Sequence, residues 1–201
     1  MSPKILIVFY SRNGSTEALA QSVAEGASAA GAEIRLRRAR EFVGPDIMAQ
    51  APGWAENAAR MNAAYEAPTA DDADWADGIV FGTPTRFGNA SAELKAYIDS
   101  LGGLWFQGKL NGKTGSAFVS TQSAHGGNET TILSLYMPMA HLGLIIVPTG
   151  YADHSVFKAG TPYGASAVSG ANALPTEEER EVARFQGRRV AAITKAIRSG
   201  T

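Results

Sequence analysis

The 201-residue sequence contains no cysteine. That excludes disulfides, thiolate metal sites and thiol redox chemistry, and a reducing compartment suits such a chain. Histidine is almost as scarce. His125, His141 and His154 are the only three, and none stands at ligand spacing from another or from a companion carboxylate, so no metal site is expected. An excess of charge of either sign is missing too: 18 Lys and Arg face 19 Asp and Glu, for a formal net charge of -1. This gives no basic platform for nucleic acid and too little acidity for a carrier that docks by charge on a basic partner. No apolar run approaches the roughly 20 residues that span a bilayer. Met1-Ser2-Pro3-Lys4 leads straight into a strand-like run, without a long apolar segment and a small-residue cleavage site. A cytoplasmic protein with no membrane insertion and no nucleic-acid partner is the expectation.

What is present reads as one globular domain over residues 1–201, with 45% hydrophobic and 18% charged residues. Lys4 to Tyr10 is a near-continuous apolar run, as in strands buried on both faces of a parallel sheet. Thr16 to Ala30 follows as a helix with an apolar stripe through Ala18, Leu19 and Val23, closed by Gly31. Glu33 to Arg38 alternates charged and apolar residues, which fits an edge strand with one wet face. Regularity then breaks over about 39–74, apart from a short helix over Trp54 to Tyr65. It returns with a strand over Gly78 to Gly82, a helix over Ala90 to Leu101, a strand over Gly115 to Ser120, a helix over Glu129 to Leu142 and a last buried strand over Gly143 to Pro148. A second excursion, about 149–174, precedes a closing helix over Pro175 to Ser199, with Thr176 as its N-cap and Glu177, Glu178 and Glu179 at its positive end. This alternation predicts an α/β doubly wound five-stranded parallel sheet, order 2-1-3-4-5, with helices on both faces. Ligands in that order bind at the switch between strands 1 and 3, beyond their carboxyl ends.

Two loops fall at that switch. Ser11-Arg12-Asn13-Gly14-Ser15-Thr16 joins a strand to a helix start, where free N–H groups and the helix dipole favour an anion. Gly14 permits close approach, and the hydroxyls of Ser11, Ser15 and Thr16 can donate to phosphate oxygens. The loop has no Lys, so it is not a nucleoside-triphosphate loop, and it lacks the Gly-x-Gly-x-x-Gly of dinucleotide folds. An ordinary N-capped helix start is the plain alternative, and Arg12 reads as more solvated than bound. Thr83-Pro84-Thr85-Arg86-Phe87-Gly88-Asn89 is the second loop. Pro84 stiffens it, Gly88 permits a turn and Asn89 can cap the next helix. Its N–H groups and Phe87 suit the polar edge and apolar surface of a flat ring, and Arg86 suits an anion on that ring; a surface Arg and a core-facing Phe are the alternative. Trp105, after a Gly pair, is either a stacking wall across the same sheet end or a core residue. Ser120-Thr121-Gln122-Ser123-Ala124-His125-Gly126 forms a third polar loop. His141 ends a helix, where an imidazolium also interacts well with the dipole.

Gly82-Thr83-Pro84-Thr85-Arg86-Phe87-Gly88-Asn89, Gly102-Gly103-Leu104-Trp105 and Gly160-Thr161-Pro162-Tyr163-Gly164-Ala165 closely resemble the WrbA family of flavodoxin-like NAD(P)H:quinone oxidoreductases, from the first strand through to Ala183-Arg184-Phe185-Gln186-Gly187. The resemblance implies bound FMN, with NADH or NADPH as co-substrate and a quinone as acceptor. It implies that Ser11 to Thr16 hold the phosphate, that Pro84 to Asn89 and Ser120 to Gly126 flank the ring, and that Trp105 helps bind the quinone. It also implies that His141 lines the site and that a homotetramer completes it. The two excursions match the family's additions to a minimal flavodoxin. The sequence departs from the family at Asn13, where an aromatic associated with the nicotinamide is common, and in the third loop, which is one residue longer and has Ala124-His125-Gly126-Gly127 in place of a Gly run.

The expected function is therefore a ping-pong transfer of two electrons from NAD(P)H to quinones at one FMN, with no protein nucleophile. A one-electron flavodoxin-type carrier and a non-enzymatic binding or regulatory protein are the rival readings. An azoreductase or metal-ion reductase would differ only in its acceptor.

Overall fold

The computed structural model describes residues 2–170 and 173–200; residues 171 and 172, within the second excursion, fall outside them. Strand β1 (Lys4–Phe9) lies at the centre because every residue from Ile5 onward is apolar and buried. Helix α1 (Ser15–Ala29) leads to β2 (Glu33–Arg38), the edge strand. There Ile34 and Leu36 pack inward, while Arg35 and Arg37 turn to the other face and reach Asp72. The first excursion carries α2 (Pro45–Met48), α3 (Trp54–Ala64) and α4 (Ala70–Trp75). Only α3 is expected from the sequence; α2 and α4 are too short to show a periodic stripe.

Strand β3 (Gly78–Pro84) pairs in parallel with β1, and β4 (Thr114–Thr121) with β3. Between them run α5 (Ala92–Ser100) and α6 (Gly102–Phe106). Helix α7 (Asn128–His141) leads to β5 (Ile145–Ile146), and β6 (Ser166–Val168) precedes the closing helix α8 (Glu177–Gly200). The path β2-β1-β3-β4-β5 is the expected 2-1-3-4-5 order. Alternate residues of β1 feed opposite layers. Leu6 and Val8 meet Leu94, Ile98 and Ile132, whereas Ile5, Ile7 and Phe9 meet Leu19, Val23 and Val182.

Two expectations need correction. The fifth strand is not a buried run over residues 143–148: only two residues pair with β4, and Ile145 is 43% exposed. The reason is that a sixth strand, hidden in the second excursion, takes over the rest of that edge. β5 pairs with Thr114 and Gly115, while β6 pairs with Val119 to Thr121. The second correction concerns Asn89, which does not cap α5. Ser91 does, its hydroxyl accepting from the Leu94 N–H. At α8 the expected cap is present: the Thr176 hydroxyl accepts from the Glu179 N–H, and the Glu179 carboxylate accepts from the Thr176 N–H.

Candidate functional site

A cleft of about 450 Å³ opens beyond the carboxyl ends of β1, β3 and β4. Ser11, Arg12, Asn13, Ser15 and Thr16 line it from the first loop, Pro84, Thr85 and Arg86 from the second, and Ser120, Thr121 and Gln122 from the third. The switch point thus brings the three expected loops together. The structure adds walls that the sequence reading did not assign: Ala51 and Pro52 from the first excursion, and Ser169, Gly170 and Ala173 from the second. Nothing local marks Ala51 or Ala173. Ser169 is placed by β6, because its N–H donates to the Thr121 carbonyl at 2.7 Å.

The first loop is not an ordinary capped helix start. The residue at the N-cap is Gly14, at φ 93°, and no side chain caps the helix. A left-handed residue there suits glycine. The Gly14 N–H is turned back to the Ser11 hydroxyl at 3.1 Å. The first-turn N–H groups have no carbonyls of their own to meet, so an anion in the cleft would satisfy them and gain from the dipole. Two hydroxyl pairs hold the walls together: Ser15 with Ser169 at 2.6 Å and Thr16 with Ser120 at 2.8 Å. Beneath the loop, Arg38 is fully buried and donates to the Ser11 carbonyl at 3.0 Å.

The second loop differs from expectation. Arg86 to Asn89 form a tight two-residue hairpin, with Phe87 at φ 54° and Gly88 at φ 78°. The hairpin consumes donors expected to face a ligand. The N–H groups of Arg86 and Asn89 bind each other's carbonyls, that of Thr85 binds the Ser120 carbonyl, and that of Gly88 binds the Thr85 hydroxyl. Phe87 stands fully exposed at the tip and lines no part of the cleft, and Gly88 and Asn89 are also absent from its lining. Phe87 occupies a backbone region that disfavours side chains, a form of strain that collects at functional loops.

Ser123, Ala124 and His125 are exposed and Gly126 partly so, and none of the four lines the cleft. Trp105 and His141 are at the opposite end of the sheet. Helix α5 starts beside Thr83 and runs back towards the start of β4, so Trp105 does not return across the cleft end. Helix α7 runs back in the same sense for about 21 Å, and the Gly112 N–H beyond Trp105 meets the Gly143 carbonyl beyond His141. Neither residue lines this chain's own cleft; for Trp105 this corrects the expected return across the same sheet end.

Arg12 and Arg86 are the only ionisable residues among the described lining residues, and a guanidinium does not exchange protons near neutral pH. Tyr10, next to the first loop, is no acid or base either. Burial, then the charges of Glu93 and Glu41, push its phenol far above the usual range. Among the described residues, no group of three or more His, Asp or Glu is placed to hold a metal ion. The cleft's polar lining and uncapped helix start suit an anion and a polar body.

Known proteins resemble this chain over nearly its whole length. Residues 3–157 match the model of the family described as NADPH-dependent FMN reductase. The chain belongs to that family. It is 45% identical over 195 residues to a protein named NAD(P)H dehydrogenase (quinone) from Deinococcus radiodurans, covering 96% of each chain. Among solved structures it resembles the flavodoxin, WrbA-like protein from Agrobacterium tumefaciens, with 26% identity, a TM-score of 0.68 and coverage of 97% of this chain and 99% of that one. A flavodoxin from the domain Archaea, at 15% identity and a TM-score of 0.62 over 96% and 99% of the two chains, shares the fold. Among the described residues, no helix is long and apolar enough to cross a membrane.

Proposed function

We infer that this protein is an FMN-dependent NAD(P)H:quinone oxidoreductase. The observation that carries the reading is the uncapped start of α1 at the mouth of a polar cleft with no proton-exchanging side chain. Such a cleft fits a phosphorylated ring cofactor, and the related dehydrogenase from D. radiodurans is named for this reaction. Ser11, Asn13, Gly14, Ser15 and Thr16 would hold the phosphate, while Pro84, Thr85, Arg86, Ser120, Thr121 and Gln122 would flank the ring. FMN, when bound, supplies the capacity to pass two electrons from a reduced nicotinamide to a quinone. The chain's own part is to bind and orient. The hydroxyl pairs fix the walls, and Arg86 at the rim favours negative charge.

The two substrates would use the one mouth in turn, which is a ping-pong order. Steady-state rates at varied NADH and benzoquinone should give parallel double-reciprocal lines; intersecting lines would reject that order. A one-electron carrier would use the same loop, but it would not oxidise NADH or NADPH by itself.

The site would be completed by another copy of the chain in a homotetramer. Trp105 is 53% exposed, Phe106 87% and Phe87 102%. Trp105 and His141 share the sheet end away from their own cleft, so only a neighbour could bring them to a cleft. Sedimentation velocity should show a tetramer; a monomer at micromolar concentration would reject this part of the reading.

A further inference from the structure

We propose that Trp54 is a positioning residue. It holds the Arg12 guanidinium at the anion end of the cleft, so that a segment outside the sheet lets the protein tell a phosphorylated flavin from riboflavin. The inference rests on the FMN reading above.

The Arg12 guanidinium carbon lies 3.6 Å from the centroid of the Trp54 ring, the separation of a face-to-face stack. Stacking occupies the flat faces of a guanidinium and leaves its N–H edges free to bind. Trp54 is itself only 9% exposed, so it is a fixed platform. Arg12 is half-buried and lines the cleft. It is not the freely solvated side chain that the sequence suggests.

Two arginines near the first loop are neutralised. Arg38 is paired with Glu41 and Arg60 with Glu17. Among the described residues no carboxylate pairs with Arg12. A half-buried cation without a counter-charge, beside a loop that favours anions, is arranged for an anionic ligand.

The platform is fastened independently of any ligand. Trp54, Ala58 and Met61 form the buried face of α3, at helical spacing. Further along α3, Arg60 donates to Glu17 at 2.9 Å, and Asn62 accepts from Arg38, which also holds the Ser11 carbonyl. Helix α3 is thus tied to both flanks of the first loop, and Trp54 sets where Arg12 can go between them. The flavin phosphate carries close to two negative charges at neutral pH, and riboflavin carries none.

Titration of the apo-protein with FMN and with riboflavin, read by flavin fluorescence at low and high salt, tests this. A charge-assisted contact of about 1.5–3 kcal/mol corresponds to roughly a 10- to 100-fold change in affinity. Arg12→Gln should weaken FMN binding by about that factor and leave riboflavin within about twofold. It should also flatten the salt dependence of FMN binding. Trp54→Leu should shift the FMN-to-riboflavin ratio the same way, and Trp54→Phe, which keeps a stacking face, should restore most of it. An unchanged ratio in Arg12→Gln, or an equal loss for both flavins, overturns the proposal whether or not the Trp54 variants fold. If the wild-type protein binds FMN but the ratio is unmoved, only this inference falls. If the wild type binds no flavin, the functional reading falls with it.

Discussion

Asp72 has three side-chain partners: Arg35 at 3.0 Å, Arg37 at 3.1 Å and the Thr69 hydroxyl at 3.0 Å. Burial alone would raise its pKa, but the hydrogen bonds from Arg37, Thr69 and Arg35 outweigh burial and hold the carboxyl below its ordinary range. The sign of the linkage follows. The unfolded chain takes up this proton near pH 4, whereas the folded protein resists it to lower pH. The stabilisation is therefore present above about pH 4 and is lost as pH falls through the folded value. Asp72→Asn should lower the midpoint of thermal unfolding at pH 7 by roughly 3–8 °C. It should also remove part of the wild type's loss of stability below about pH 4. An unchanged acid limb would show that the contacts of Asp72 are not the cause. At the phosphate loop, Gly14→Ala should weaken FMN binding about tenfold, because alanine resists the φ of 93° at the uncapped helix start.

Residue types at the loops were legible where their own backbone places them. Ser15, Thr16, Thr85 and Ser120 meet in space because each stands at or just beyond a strand's carboxyl end. Ala51, Ser169 and Gly170 were not legible, because excursions carry them to the cleft and no local pattern marks them. Phe87 stands exposed at the hairpin tip, which removes the alternative of a core-facing Phe, because a two-residue turn leaves its side chain no core to enter.

Among the elements, α1 and α8 pack backbone against backbone. A methyl group on Gly187 would lie 2.0 Å from the Val23 carbonyl oxygen, and one on Gly26 would lie 1.9 Å from the Arg184 carbonyl oxygen. Backbone cannot yield as a flexible side chain can. Gly187→Ala should therefore cost at least about 1–3 kcal/mol and lower the thermal midpoint by several degrees, about 2–4 °C per kcal/mol, measured by calorimetry. An unchanged midpoint would mean that the helices can part freely. The long elements were legible because their apolar periodicity is strong: β1, α1 and α8 fall within a residue or two of expectation. The β4 edge was not. A two-residue strand and a three-residue strand divide it, and neither is long enough to show a period.

At the scale of the whole molecule, strand order does most of the functional work. The order 2-1-3-4-5 was readable from the alternation of elements, and it places the first two loops side by side at the switch point. It also sends α5 and α7 back along the sheet, which takes Trp105 and His141 to the far end. The sequence alone does not reveal that separation, because a residue's end of the sheet depends on where its helix stops.

Anaerobic titration of the FMN-loaded protein with NADH, then with NADPH, followed by flavin absorbance, tests the central claim most directly. The account predicts direct bleaching of the flavin band by at least one of the two, and its return on adding benzoquinone. No bleaching by either nucleotide, in protein shown to retain FMN, would contradict the oxidoreductase reading and leave the cleft a flavin site of another kind.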